Sequence, residues 1–202
     1  MPVASPPQSR RETRDMAATA TSTLRSTHEP EDLLEIHDRP MPELVEGQLL
    51  ERPMGEESDS IAAAILGLIF AFVRERGLGR VHGSQCGYQI FPDDPRKIRI
   101  PDVSFTRRER LPAGGPARGH ARVAPDLVVE VVSPNDEYSV VEATLHDFLG
   151  AGVPLIWIVS PDTRTVQVHR GDGTSIRLRE TDILDGGDVL PGFSCKISEF
   201  FV

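Results

Sequence analysis

Glu130 stands inside the run Leu127-Val128-Val129-Glu130-Val131-Val132. A continuous β-branched run marks a strand covered on both faces. A carboxylate within it is costly to bury unless it is paired, hydrogen-bonded or bound to a metal. Alternation places Asp126, Val128, Glu130 and Val132 on one face of that strand. A strand-end glutamate meeting a single arginine, or an edge position facing water, would explain Glu130 equally well. Asp102 follows Pro101 within Ile98–Phe105. Proline in a strand pattern forces an edge or a distortion, so Asp102 either faces a cleft or closes a simple turn. The pair says more than either acid alone. Two strands adjacent in sequence each carry an acid near one end, and as neighbours in a sheet they would bring both carboxylates to one point. Two carboxylates without a cation repel each other. A hard divalent ion, Mg²⁺ or Mn²⁺, relieves that repulsion and keeps positions for water and phosphate oxygens. Such an ion activates water and stabilises charge on a phosphodiester.

Around these acids the pattern predicts a short helix over 31–38, closed by Pro40, and a strand or hairpin over 43–52 that alternates about Glu46-Gly47. A long helix follows, capped by Ser58 and ended by Gly77. Its middle, Ile61–Val73, is apolar on nearly every face and is expected to lie deep in the domain. Strands are expected at 80–90, 98–105 and 125–133. Residues 106–124 form a Gly/Pro/Arg-rich loop between the last two. A helix over 136–150 and a strand over 154–160 come next. Short strands at 164–170, 174–179 and 188–190 and a turn of helix near 196–201 close the chain. The strand after the second helix is expected to run parallel to an earlier one, which gives an α/β sandwich around a mixed sheet.

Composition narrows the function. With 22 Lys+Arg against 31 Asp+Glu the chain carries −9, which argues against a basic nucleic-acid coat protein or a cationic membrane-surface protein. The longest apolar run, 13 residues, is short of the ~20 a membrane span needs. Two cysteines, Cys86 and Cys195, exclude a disulfide scaffold and a tetrahedral cysteine zinc site. Residues 1–30 are rich in Ser, Thr and Pro, lack aromatics, and are expected to form a disordered tail. They contain no apolar h-region, so a cytoplasmic protein with one domain over 31–202 is expected.

From Pro42 to the C-terminus the chain resembles the Uma-two family. The resemblance is carried by ELVEGQLL, GLGRV, PDVSF, PDLVVEVVSPND, FLGAGVPLIWIVSP and LPGFSCKISEFF. It implies a restriction-endonuclease-like fold of the PD-(D/E)xK nuclease superfamily: a core of helix, three strands, helix and strand around a mixed central sheet, here with extra short C-terminal strands. It also implies metal-dependent hydrolysis of nucleic-acid phosphodiesters, most readily of DNA. On the family pattern Asp102 is the acid of the PD motif and Glu130 the acid of the third strand. Glu43 or Glu46 is the further metal ligand or water-orienting acid. The superfamily lysine is absent two residues after Glu130, where Val132 stands. It is also absent eleven residues after Ser133, where the family carries it on the following helix and this chain has Thr144. Lys97 or Arg99 is then the expected cation for the charged transition state. Cutting both strands of a duplex would call for two sites, hence a homodimer. The alternative is a catalytically impaired member acting as a nucleic-acid or protein interaction module.

Overall fold

The computed structural model describes residues 27–36, 41–52, 54–134 and 136–201; the expected tail lies almost wholly outside them. Pro30 opens a short helix α1 (Pro30–Glu35), with acids Glu31 and Asp32 in its first turn, where proline lacks no needed donor and negative charge is favoured. Strands β1 (Glu43–Val45) and β2 (Gln48–Leu50) form the expected hairpin, in which Glu43 pairs with Leu50. Its turn residues, Glu46 and Gly47, both have positive φ, 51° and 75°, as a two-residue hairpin with right-twisted strands requires.

Helix α2 (Glu56–Arg76) ends where expected, at Gly77 with φ 63°. Its start is different. Gly55 is the N-cap, and Ser58 lies buried in the first turn, donating to the Val132 carbonyl at 3.4 Å. Glu56, Glu57 and Asp59 complement the exposed N–H groups there. Nor is the helix deep on every face. Ile61, Ile65, Ile69 and Val73 form one buried stripe, while Phe70 is 47 % exposed. Only one side meets the sheet, and the small residues Ala63, Gly67 and Ala71 turn outward.

The central sheet contains β3 (Gly79–Gly83), β4 (Val103–Arg107), β5 (Leu127–Val131), β6 (Leu155–Ser160), β7 (Thr165–Arg170) and β8 (Ser175–Arg179), in that spatial order. Helix α3 (Tyr138–Gly150) connects β5 to β6, which run parallel; the other pairs are antiparallel. The core order of helix, three strands, helix and strand is as expected, around a mixed α/β sheet. Two strands are shorter than expected. The 80–90 strand stops at Gly83, and the 98–105 strand begins only at Val103, after Pro101. Ile98 and Arg99 instead make isolated bridges to Leu44 and Tyr88, which ties the hairpin to the sheet. A second hairpin, β9 (Ile183–Gly186) with β10 (Leu190–Lys196), lies where only 188–190 was expected.

Alternation along β5 divides the core. Leu127, Val129 and Val131 pack with the α2 stripe, Phe105 and Trp157, while Val128 packs with Phe148 and Leu145 of α3. Glu130, two residues from Val128, therefore faces the α3 side. None of the described helices is long and apolar enough to cross a membrane.

Candidate active site

Three acids converge from three elements. Glu130, on β5, is 2 % exposed. Its Oε2 accepts from Arg52 Nη1 at 3.0 Å, and its Oε1 is buried without any hydrogen-bond partner. Asp102, released from the strand by Pro101, accepts the Val131 N–H at 2.6 Å through Oδ2. Pairing of β4 with β5 makes this contact possible, since Val103 lies opposite Val129. Glu43, on β1, accepts the Ile100 N–H at 2.9 Å and Arg99 Nη1 at 2.8 Å. Arg52 stands among them, 4.0 Å from Glu43 and 3.6 Å from Asp136. Asp136 is itself fixed by the Ser133 N–H at 2.8 Å.

Burial dominates the electrostatics. It pushes Glu130 up to about 8, opposed by Arg52 and reinforced by Asp102 and Glu43. It pushes Asp102 up to about 6, opposed by the Val131 hydrogen bond and Arg52. The field of Glu130, followed by Glu43, Asp102 and Asp136, holds the Arg52 guanidinium firmly protonated against its own burial. Folded carboxyls that keep protons above ~4, where an unfolded chain releases them, lose stability as pH rises. In EDTA the melting temperature is thus expected to fall from pH 5 to pH 8, and Glu130→Gln should flatten that fall. Parallel profiles for the two proteins would contradict burial as the ruling influence on Glu130.

The other expected residues lie apart from the carboxylate cluster or are engaged elsewhere. Glu46 is not brought to the cluster. It is exposed at the hairpin turn, three residues from Glu43 and so ~10 Å along the strand. Lys97 and Arg99 are buried, but both bind Asp147 of α3, at 2.7 Å and 2.6 Å, with Lys97 also on Asp93 and Arg99 on Glu43. Their charge is spent on joining the hairpin, the sheet and α3. Thr144 is buried on α3, facing inward as its spacing implies, with Oγ1 unpartnered. In the Arg-rich loop, Arg110 pairs with Asp126 at 2.8 Å and Arg107 lies 3.7 Å from the same carboxylate, which offsets part of the loop's positive charge.

The sequence reading missed Arg52 and Asp136. The signal for Arg52 was present: the Glu46-Gly47 turn pairs Glu43 with Leu50, and residue 52 then lies diagonally next to Glu43. Asp136 follows the end of β5 by five residues and reaches back to cap Ser133.

A cavity of about 510 Å³ opens onto the cluster, lined in part by Glu43, Arg52, Asp59, Asp102, Ser133 and Asp136. Asp102 also lines an adjoining cavity of about 570 Å³, whose other walls include Met41, Ala62, Leu66, His82 and His120. Among the described residues no three His, Cys, Asp or Glu side chains are arranged to hold a metal ion as they stand. The donor chemistry nevertheless suits a hard cation: the oxygens are carboxylate, Glu130 Oε1 is orphaned, and burial penalises the charged form of both Glu130 and Asp102 despite the nearby Arg52.

One acid just before a strand and another on the next strand of a helix-flanked mixed sheet, beside a parallel β–α–β crossover, are the arrangement of the restriction-endonuclease-like class. The chain belongs to the Uma2 family, described as "Putative restriction endonuclease", whose model matches residues 29–198. Its fold is similar to that of a "putative nuclease belonging to DUF820" from Anabaena variabilis ATCC 29413, with a TM-score of 0.72 at 20 % identity, over 86 % of this chain and 97 % of that one. No curated protein matches the sequence.

Proposed function

We propose that this chain hydrolyses nucleic-acid phosphodiester bonds, DNA before RNA, with Mg²⁺ or Mn²⁺ held by Asp102 and Glu130 and with Glu43 as the supporting acid. The observation that carries the reading is the orphaned Oε1 of Glu130, buried behind Asp102 and Glu43, which line the cavity. A hard divalent ion bound there supplies Lewis-acid chemistry, withdrawing charge from a phosphate oxygen and lowering the pKa of an attacking water. The chain's own part is to hold two carboxylates rigidly. The Val131 N–H fixes Asp102, and the Ile100 N–H with Arg99 fixes Glu43. Glu46 is left out of the set, and Lys97 and Arg99 are assigned to scaffolding. A cytoplasmic homodimer would place two such sites on a duplex.

Calorimetric titration with Mn²⁺ and Mg²⁺, run beside cleavage of plasmid, single-stranded DNA and RNA, tests the reading. Absence of both ion binding and cleavage sinks it. The second reading, an interaction module without catalysis, is favoured by the uncharged residues at positions 132 and 144. The two part on one variant. By helical spacing Thr144 lies one turn before Phe148, which packs with Val128, so residue 144 lies toward Glu130. Thr144→Lys is expected to raise cleavage about tenfold, less than the roughly hundredfold or more that a fully preorganised group contributes. An unchanged rate in a folded Thr144→Lys protein argues against a vacated cation site.

A further inference from the structure

Among the described residues, Arg52 is the one arginine or lysine that lines the 510 Å³ cavity. Its planar head carries five N–H donors, yet it makes a single hydrogen bond, to Glu130 at 3.0 Å. The contacts to Asp136 and Glu43, at 3.6 and 4.0 Å, are looser, and Nε has no partner. Lys97 and Arg99 are fully engaged by Asp147 and its neighbours. Arg52 also lies two residues beyond the last residue of β2.

The charges decide what this residue can do. Glu43, Asp102, Glu130 and Asp136 contribute four negative charges when ionised; Arg99, shared with Asp147, offsets Glu43, and Arg52 is left to serve the other three. A phosphodiester entering that cavity meets net repulsion. If Asp102 and Glu130 held a divalent ion, Glu130 would no longer need the guanidinium, and the Arg52 fork would be free for an incoming anion, whose geometry it matches in bidentate fashion. We propose that Arg52 is the phosphate-facing cation of this site, and that in the ion-free protein it rests on Glu130 as a resident counter-ion that the divalent ion must outcompete. The inference rests on the proposed function and adds to it. Arg52 acts as a fixed cation and hydrogen-bond donor, not as an acid or base, since a guanidinium stays protonated at neutral pH.

The test is Mn²⁺ calorimetry and plasmid cleavage on wild type, Arg52→Met, Arg52→Gln and Arg52→Lys. Arg52→Gln keeps a polar, N–H-bearing side chain at the cavity wall, so it leaves a foldable neutral variant even if Arg52→Met fails to fold. Both neutral variants are expected to bind Mn²⁺ at least tenfold more tightly than wild type while kcat falls a hundredfold or more. Arg52→Lys should recover part of kcat. A purely structural role would not tighten ion binding. Neutral variants that bind Mn²⁺ no better, or cleave at the wild-type rate, overturn the proposal and leave the proposed function standing. A wild-type protein that neither binds Mn²⁺ nor cleaves takes both down.

Discussion

Asp102→Asn is expected to fold like wild type, to lose divalent-ion binding, and to lose at least about a hundredfold in cleavage, the scale set by removing one preorganised polar group from a site. The fold is expected to survive because an asparagine Oδ1 can still accept the Val131 N–H that Asp102 accepts at 2.6 Å. The chemistry is expected to fail because the amide carries no charge to hold a hard cation. Glu130→Gln should behave alike, since its amide oxygen can still accept from Arg52 in place of Oε2. Asp102→Asn carries a second readout. It removes a like charge that helps push Glu130 up, so the Glu130 carboxyl should titrate lower, visible by NMR. Cleavage by Asp102→Asn at the wild-type rate would remove the two-acid site from consideration, whatever became of Arg52.

The two acids were legible in the sequence because each breaks a local rule. Glu130 interrupts an apolar strand, and Asp102 follows a proline in a strand pattern; such conflicts between local pattern and expected burial concentrate where function is. The sheet order was legible from one crossover, since a helix between two strands makes them parallel. What was hidden depends on contacts between segments far apart in sequence. Lys97 and Arg99 lie close to Asp102 along the chain, which made them the natural cations, but their guanidinium and ammonium groups find Asp147, about fifty residues away on α3. Arg52, seventy-eight residues from Glu130, looked like an ordinary hairpin-end arginine. The start of α2 misled for a local reason. Serine is a favoured cap, but the helix begins at Gly55 and Ser58 is drawn inward by the Val132 carbonyl.

If Arg99 is scaffolding, Arg99→Ala must act on stability rather than on chemistry. The guanidinium is 3 % exposed and holds two acids at once, Glu43 at 2.8 Å and Asp147 at 2.6 Å. Removing it deprives two largely buried carboxylates of their shared cation, leaving Asp147 with Lys97 and Glu43 with the Ile100 N–H. Breaking a buried pair from one side costs about 3–5 kcal/mol, because the remaining charge stays desolvated. In a domain of this size each kcal/mol lowers the melting temperature by roughly 2–4 °C, so a drop on the order of 10 °C is expected. Lys97→Met should cost less, because one of its two partners, Asp93, is 66 % exposed and such a pair contributes little. The converse pattern, a normal melting temperature with cleavage lost, would return Arg99 to the transition state and make Arg52 the scaffold. Measured at 15 °C, where the variant is still folded, Arg99→Ala is expected to keep its kcat within about tenfold of wild type, because neither Asp102 nor Glu130 hydrogen-bonds to Arg99 and the Ile100 N–H still holds Glu43.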